Sequence, residues 1–319
     1  MMRIAKMALA AMLLAVPAAQ AAGFPEKPIR LIIGSAPGSG PDIISRMTSD
    51  RLYDSWKQRI VVDSRPGAAG AISADLTLQA APDGYTWMML TSQLFVASHV
   101  LPNLKFNLAR DFQSIALIGT VPFILLANPQ LPAKSLKDLI DMAKKSPGKI
   151  RYGSAGTGAS EHLSGVLLTQ LTKTDMLHVP YKGVAQSIID AIANEVQITY
   201  AVLPAAKPHI ESGRLRALGV TPPKRAPLLP DVPAIAEAVP GYAMYGWYSI
   251  VAPTGTPAAI MNKASAEIVK AAKEPAFGDR LKNLGIEIVA GDRKVLDEWR
   301  RSEDKRIGDL VRISGAKAK

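Results

Sequence analysis

The sequence predicts an α/β protein of two domains, each a mainly parallel sheet flanked by helices. Three observations carry that expectation. The chain of 319 residues, 48% of them hydrophobic, is too long for one ordinary core and fits two domains of roughly 150 residues. Short apolar, β-rich runs alternate with helical patterns, the rhythm of parallel strands wrapped by helices. That rhythm restarts past the middle of the chain. Gly34-Ser35-Ala36-Pro37-Gly38-Ser39-Gly40 and Gly153-Ser154-Ala155-Gly156-Thr157-Gly158 begin 119 residues apart, each between a predicted strand and a predicted helix.

Residues 1–21 read as a secretory signal peptide. Arg3 and Lys6 precede an apolar run over residues 7–16, Pro17 breaks it, and Ala19-Gln20-Ala21 fits small-x-small cleavage. The apolar run rises only about 15 Å as a helix, half of a ~30 Å hydrocarbon core, so it is too short for an anchor. Strands are predicted over residues 29–33, 60–62 and 85–90, and helices over 42–53 and 71–80, with a turn at Pro82-Asp83-Gly84. Residues 115–127 form one long apolar stretch containing Gly119 and Pro122. A helix follows over residues 135–144, with Ser135 as its cap. The second unit predicts strands over residues 150–153, 177–179, 197–202 and 215–220, with helices over 161–171 and 185–193. Residues 226–241 are proline-rich and read as a surface excursion. A strand is expected over residues 247–252 and helical patterns beyond it. The last helix carries Leu296, Trp299, Ile307, Leu310 and Val311 in one stripe, with a charged outer face.

Composition closes off several chemistries. The absence of cysteine excludes disulfide frameworks, zinc–thiolate sites, iron–sulfur clusters, thiol nucleophiles and an N-terminal lipidated cysteine. The net charge of +11 falls to +9 without Arg3 and Lys6. A basic surface suits nucleic acid, membranes or anionic small molecules, and export argues against nucleic acid. His99, His162, His178 and His209 make no HExxH pair and no metal-type spacing, so neither metal nor cofactor is expected. Gly158-Ala159-Ser160-Glu161-His162 resembles a nucleophile elbow, but His162 stands where that pattern needs glycine. Neither Gly-rich loop is followed by Lys-Ser or Lys-Thr, and neither completes a dinucleotide fingerprint. No catalytic residue is expected.

The two Gly-rich loops can do something simpler. Glycine lets a strand turn sharply into a helix and leaves backbone N–H groups uncovered. Those N–H groups and the helix dipole favour an anion. Pro41 suits the first helical turn and Asp42 its acidic position; Ser160 suits the cap of the second helix, with Glu161 in its first turn. Two such loops facing each other across a cleft could grip the ends of a small di-anion through Ser35–Gly40 and Ser154–Gly158, helped by the hydroxyls of Ser39, Ser154 and Thr157. Arg65-Pro66-Gly67-Ala68-Ala69-Gly70 is a third Gly-rich turn, a pocket wall or a plain connection. Thr91 and Ser92 follow the third strand and either face the cleft or cap a helix.

Ordered strings along nearly the whole mature chain resemble one family. Residues 24–30 (FPEKPIR), Pro37-Gly38 with Asp42, residues 65–70 and Asp83-Gly84-Tyr85-Thr86 come first. Gly153 to Gly158, Ser160 with His162-Leu163, and His178-Val179-Pro180-Tyr181-Lys182-Gly183 follow. Leu229-Pro230-Asp231-Val232-Pro233, Glu237, Trp247 and residues 252–257 (APTGTP) complete the set. In these the chain is similar to the Bug-type periplasmic receptors, the solute-binding components of tripartite tricarboxylate transporters. The resemblance implies a type II periplasmic-binding-protein (Venus-flytrap) fold with two crossing strands. Residues 22–122 and 249–319 would form one domain and residues 123–248 the other.

It implies a small carboxylate held by backbone N–H groups, hydroxyls and waters, a monomer, and membrane permease subunits as partners. The ligand-binding set expected on both grounds is Ser35, Ala36, Pro37, Gly38, Ser39, Gly40, Asp42, Ala68, Thr91, Ser92, Ser154, Gly156, Thr157, Gly158, Ser160, His162, Lys182 and Gly183. The chain departs from the family pattern at Gly34 and Ser35, where proline and an aromatic residue are usual. It departs also at Ser39, in place of a second glycine, and at Val202, where an amide or acid is frequent. An exported α/β hydrolase or isomerase, and a sensor that presents its closed form to a signalling receptor, are the alternatives.

Overall fold

The computed structural model describes residues 23–101 and 103–315. The expected signal peptide over residues 1–21, with its cleavage near Ala21, lies outside the described residues. The first unit runs β1 (Ile29–Ile33), α1 (Gly40–Trp56), β2 (Ile60–Ser64), a 3-10 turn (Ala68–Gly70), α2 (Ala71–Leu78), β3 (Thr86–Thr91), α3 (Ser92–Val100), α4 (Leu108–Asp111) and β4 (Phe112–Val121). The second runs β5 (Phe123–Ala127), α5 (Leu136–Lys145), β6 (Arg151–Ser154), α6 (Ser160–Thr172), β7 (Leu177–Pro180), α7 (Val184–Ile192), β8 (Ile198–Val202), α8 (Leu203–Glu211), β9 (Arg216–Val220) and α9 (Ile235–Ala238). Then come β10 (Gly246–Pro253), α10 (Ala258–Ala272), α11 (Pro275–Asn283), β11 (Glu287–Gly291) and α12 (Arg293–Ser314).

The strands make two sheets, in the orders β11-β4-β10-β3-β1-β2 and β7-β6-β8-β5-β9. The repeated loops occupy equivalent places. β1 lies between β2 and β3, all parallel, as β6 lies between β7 and β8. Each triplet is flanked by an antiparallel strand, β10 beside β3 and β5 beside β8. The sheets are therefore mixed, because strands that pass between the two units enter each sheet against the direction of its βαβ core. Chain direction reverses where a strand arrives from the other sheet rather than from a crossover helix.

The long apolar stretch over residues 115–127 divides into β4 and β5. Pro122 has no N–H to give a ladder, so the run breaks there, and the chain passes from one sheet to the other between Val121 and Phe123. Thr221 fixes the crossing by accepting from the Phe123 N–H at 3.0 Å and by donating its own N–H to the Phe123 carbonyl at 2.9 Å. β10 returns beside β4, Gly246 opposite Val121. β11 falls where the sequence suggested only helical patterns; between Glu287 and Gly291 its apolar run is too short to read as a strand.

Burial explains the apolar runs. Every residue of β1 but Arg30 is buried, as are nearly all of β4 and β5, the pattern of strands covered on both faces. One apolar core is continuous between the sheets, joining Met88, Leu90 and Leu117 to Leu125, Tyr152 and Tyr200 through Phe95, Val100 and Trp247. Ser135 caps α5 as expected. Its Oγ accepts from the Asp138 N–H at 3.1 Å, and the Asp138 carboxylate accepts from the Ser135 N–H at 3.0 Å. Ser135→Ala should cost about 0.5–2 kcal/mol in a urea melt, with ligand affinity unchanged; a loss of affinity without a loss of stability would contradict this division between scaffold and site.

Candidate functional site

A cavity of about 310 Å3 lies at the carboxyl ends of the strands of both sheets. Ser35, Ser39 and Pro41 line it from the turn after β1 and the start of α1; Thr91, Ser92 and Gln93 from the end of β3 and the start of α3; and Ala155, Ser160 and Glu161 from the turn after β6 and the start of α6. Gly183 and Val184 come from the start of α7 and Val202 from the residue before α8. Val121, Phe123, Gly246, Trp247 and Tyr248, from the strands that cross between the sheets, complete the wall. A larger cavity, of about 590 Å3, sits against α12. Three of the groups that line it are already engaged: Arg300 donates to the Phe112 carbonyl at 3.0 Å and to Ser114 Oγ at 3.1 Å, and His99 Nε2 lies 3.1 Å from Asp304. No residue of the second sheet reaches it, so the smaller cavity is the candidate site.

Five helices thus begin at one cavity: α1, α3, α6, α7 and α8. The first N–H groups of a helix have no intrahelical acceptor, and the dipole adds a partial positive charge there. A capping side chain normally takes up one of these donors. Thr91 does so for α3, accepting from the Leu94 N–H at 3.4 Å. The residues before α1, α6, α7 and α8 are Ser39, Ala159, Gly183 and Val202, and none makes a side-chain cap. The Ser39 hydroxyl donates instead to Ser35 Oγ at 3.0 Å. The arrangement supplies positive potential without a cation, and no Lys or Arg lines the cavity among the described residues.

The expected residues divide sharply. Ser35, Ser39, Thr91, Ser92, Ser160 and Gly183 line the cavity. Gly40 lies beside it, with the Tyr248 hydroxyl 3.0 Å from where a Cβ would stand. Ala36, Pro37 and Gly38 are exposed and do not line the cavity, nor do the exposed Ala68, Thr157 and Lys182. Asp42 is 3% exposed and braces its loop, accepting from the Gly38 N–H at 2.9 Å. Its partner Arg46 holds the carboxyl below its ordinary range. Ser154, Gly158 and His162 are buried behind the wall, and the half-buried Gly156 does not line it. The Ser154 hydroxyl is fully buried, 2.7 Å from His178 Nε2, and accepts from the Gly156 N–H at 3.1 Å. His162 Nδ1 accepts from the Gly158 N–H at 3.0 Å.

The expectation that N–H groups throughout both loops face a ligand is corrected accordingly. Those of Gly38, Gly156 and Gly158 bond within the loops, and the Ser39 N–H goes to the Ala36 carbonyl at 3.2 Å. Ser160 is also not a cap. It is the first residue of α6, 4% exposed, and its Oγ has no hydrogen-bond partner. It is not paired with His162, so the elbow-like string makes no nucleophile–base pair here.

Pro41, Gln93, Ala155, Glu161, Val184, Val202, Tyr248 and the crossing-strand residues were not among the expected set. Their common signal is position: each lies just beyond a strand or on a crossing strand, at places the sequence patterns located only to within a few residues. Three of the chain's departures from the family pattern, Ser35, Ser39 and Val202, line the cavity. Gly34, the fourth, has a steric reason, since a Cβ there would meet the Gly70 Cα at 2.6 Å.

Behind the second loop His162 stacks on His178 with ring centroids 3.9 Å apart, next to Tyr152. Burial holds the His162 imidazole down to about 4, and burial with the neighbouring His162 holds His178 down to about 3. Neutral rings fit the bonds, because His162 Nδ1 must accept from Gly158. Both should therefore keep constant ring chemical shifts by NMR from pH 8 to pH 5, where a free histidine titrates near 6.5. A midpoint near 6.5 for either ring would contradict the packing.

Glu161 is the acidic side chain on the cavity wall. Burial pushes its carboxyl up to about 6, against the hydrogen bond from its own backbone N–H. Burial, and the charge of Glu161, push the facing Tyr248 phenol up to about 12. Well below pH 4.5 Glu161 is protonated whether the chain is folded or not. As pH rises from 4.5 through 6 the unfolded chain loses that proton first, so stability falls, and above 6 the cost is at most about 2 kcal/mol. Glu161→Gln should then raise the melting temperature at pH 7.5 and leave it unchanged at pH 4. An equal shift at both pH values would contradict a strained carboxylate.

Comparison with known proteins places this architecture. Residues 44–315 match the family described as tripartite tricarboxylate transporter family receptor, TctC. A protein of Pseudomonas sp. strain P51, named for the tcbD–tcbE intergenic region, is 35% identical over 290 residues, 90% of this chain and 86% of that one. A Rhodopseudomonas palustris protein solved with adipate superposes with a TM-score of 0.81 at 31% identity, over 92% of this chain and 98% of the other. MatC of the same species, solved with bound malate, gives a TM-score of 0.76 at 27% identity, over 90% of this chain and all (100%) of that one. With the fold, the chain order and the match all in agreement, the protein belongs to the TctC family of tripartite tricarboxylate transporter receptors.

Proposed function

We propose that the protein is an exported receptor that captures a small organic carboxylate in the cavity between its two sheets and delivers it to membrane permease subunits. The observation that carries this reading is the convergence of helix starts, those of α1, α7 and α8 without a side-chain cap, on a cavity of about 310 Å3 that has hydroxyls but no basic side chain on its wall. Its relatives solved with adipate and malate support the ligand class.

In this reading residues 1–21 direct export to the periplasm and are removed near Ala21. Residues 22–122 with 249–319 form one lobe and residues 123–248 the other. The lobes close on the ligand, and the monomeric closed form is what the permease reads. The protein binds without turnover. Ser35, Ser39, Thr91 and Ser92 hold the carboxylate at the starts of α1 and α3.

A thermal-shift screen of small mono-, di-, tri- and amino-carboxylates tests the proposal. A ligand that binds only the native state at a hundredfold excess over Kd should raise the melting temperature by on the order of 5 °C. Unchanged melting with every acid in the screen would defeat the receptor reading, and hydrolysis of a carboxylate ester that is lost in Ser160→Ala would replace it.

A further inference from the structure

The two halves of the cavity are not alike. The starts of α1 and α3 present hydroxyls and no charged side chain to it, whereas the start of α6 presents Glu161. Glu161 lies in the first turn of α6, and its carboxylate takes a hydrogen bond from its own backbone N–H. That helix start is therefore already occupied by an anion of the protein itself. A second carboxylate arriving there would meet like charge in an enclosed place, which destabilises both. The groups facing Glu161 do not neutralise it. Tyr248, from β10, is a neutral phenol. His162, one residue along α6, is turned to Gly158 and His178. Lys182 is exposed and outside the wall, and no Lys or Arg lines the cavity among the described residues.

Beside Glu161 stands the Ser160 hydroxyl, 4% exposed and without a hydrogen-bond partner, on the same wall. A carboxylate and a free hydroxyl acceptor together suit a group with several donors and a positive charge, which is an ammonium. We propose that Glu161 sets the specificity of this receptor: it is the counter-ion for a protonated amine on the ligand, whose carboxylate is held across the cavity at the starts of α1 and α3. The ligand class is then a small amino-carboxylate rather than a simple dicarboxylate. This rests on the receptor reading above and deepens it.

Calorimetry on the mature protein at pH 7.5 tests the assignment with matched pairs. The pairs are succinate with 4-aminobutyrate, glutarate with 5-aminopentanoate, and adipate with 6-aminohexanoate, together with the neutral α-amino acids of the same lengths. Wild type should bind an amino-carboxylate at least about tenfold more tightly than the dicarboxylate of equal length, the factor expected for one charged hydrogen bond. Glu161→Gln, checked for folding by circular dichroism, should lose at least about tenfold for the amino-carboxylate and gain for the dicarboxylate. A dicarboxylate bound as tightly as its amine partner by wild type, or a preference that Glu161→Gln leaves unchanged, would overturn the assignment while the receptor reading stood. No binding of any acid by either folded protein would overturn the receptor reading and the assignment with it.

Discussion

Helix starts with unmet N–H groups, gathered around one cavity, are the constraint on which the remainder of this structure depends. Such groups are costly to bury without acceptors, so the fold must either cap them or bring an anion to them. Here the βαβ order does the gathering. Parallel strands place their following helices at the same end of each sheet, and the crossing strands β4, β5 and β10 turn the two ends toward each other. Close backbone approach then becomes necessary. Gly158 has a positive φ of 80°, and its Cβ would stand 2.9 Å from Val100 of the other unit. Gly40 leaves room for the Tyr248 hydroxyl.

Behind the wall, buried polar side chains hold the loops in shape. His162 and His178 are buried, stacked and unprotonated, and they fix the second loop through Gly158 and Ser154. Asp42 does the same for the first loop through Gly38, with Arg46 balancing its charge. Trp247 is held by Glu303, which accepts from its Nε1 at 3.2 Å and is itself paired with Arg306. The cavity wall therefore rests on polar pairs that are complete in themselves. The net charge, +9 without Arg3 and Lys6, acts at longer range and favours the approach of anions.

Much of this was legible in the sequence for definite reasons. The buried strand β5 is apolar throughout and β1 in all but Arg30, and the two Gly/Ser loops repeat in the same context, so the two α/β units and their equivalent turns could be read directly. Ser135 announced its helix as a cap, and the structure completes that cap through Asp138 three residues on. β11 was not legible because its residues alternate too weakly over too short a run. Within the site, the sequence located the loops but not their inward faces. Ser35 and Ser39 face the cavity while Ala36 to Gly38 between them do not, and Ser154 points at His178, a contact across strands that no local pattern encodes. Glu161 was read only as a first-turn residue and Val202 only as a departure from the family pattern, because neither shows that it faces a cavity until the two sheets are brought together.

The most direct measurement is a crystal structure with the acid that gives the largest thermal shift. The account predicts the ligand carboxylate within about 3 Å of hydroxyl or backbone N–H donors at Ser35, Ser39, Gly40, Thr91 or Ser92, with no Lys or Arg side chain bonded to it. A carboxylate clamped by an arginine or lysine, or a ligand seated in the cavity against α12, would contradict it.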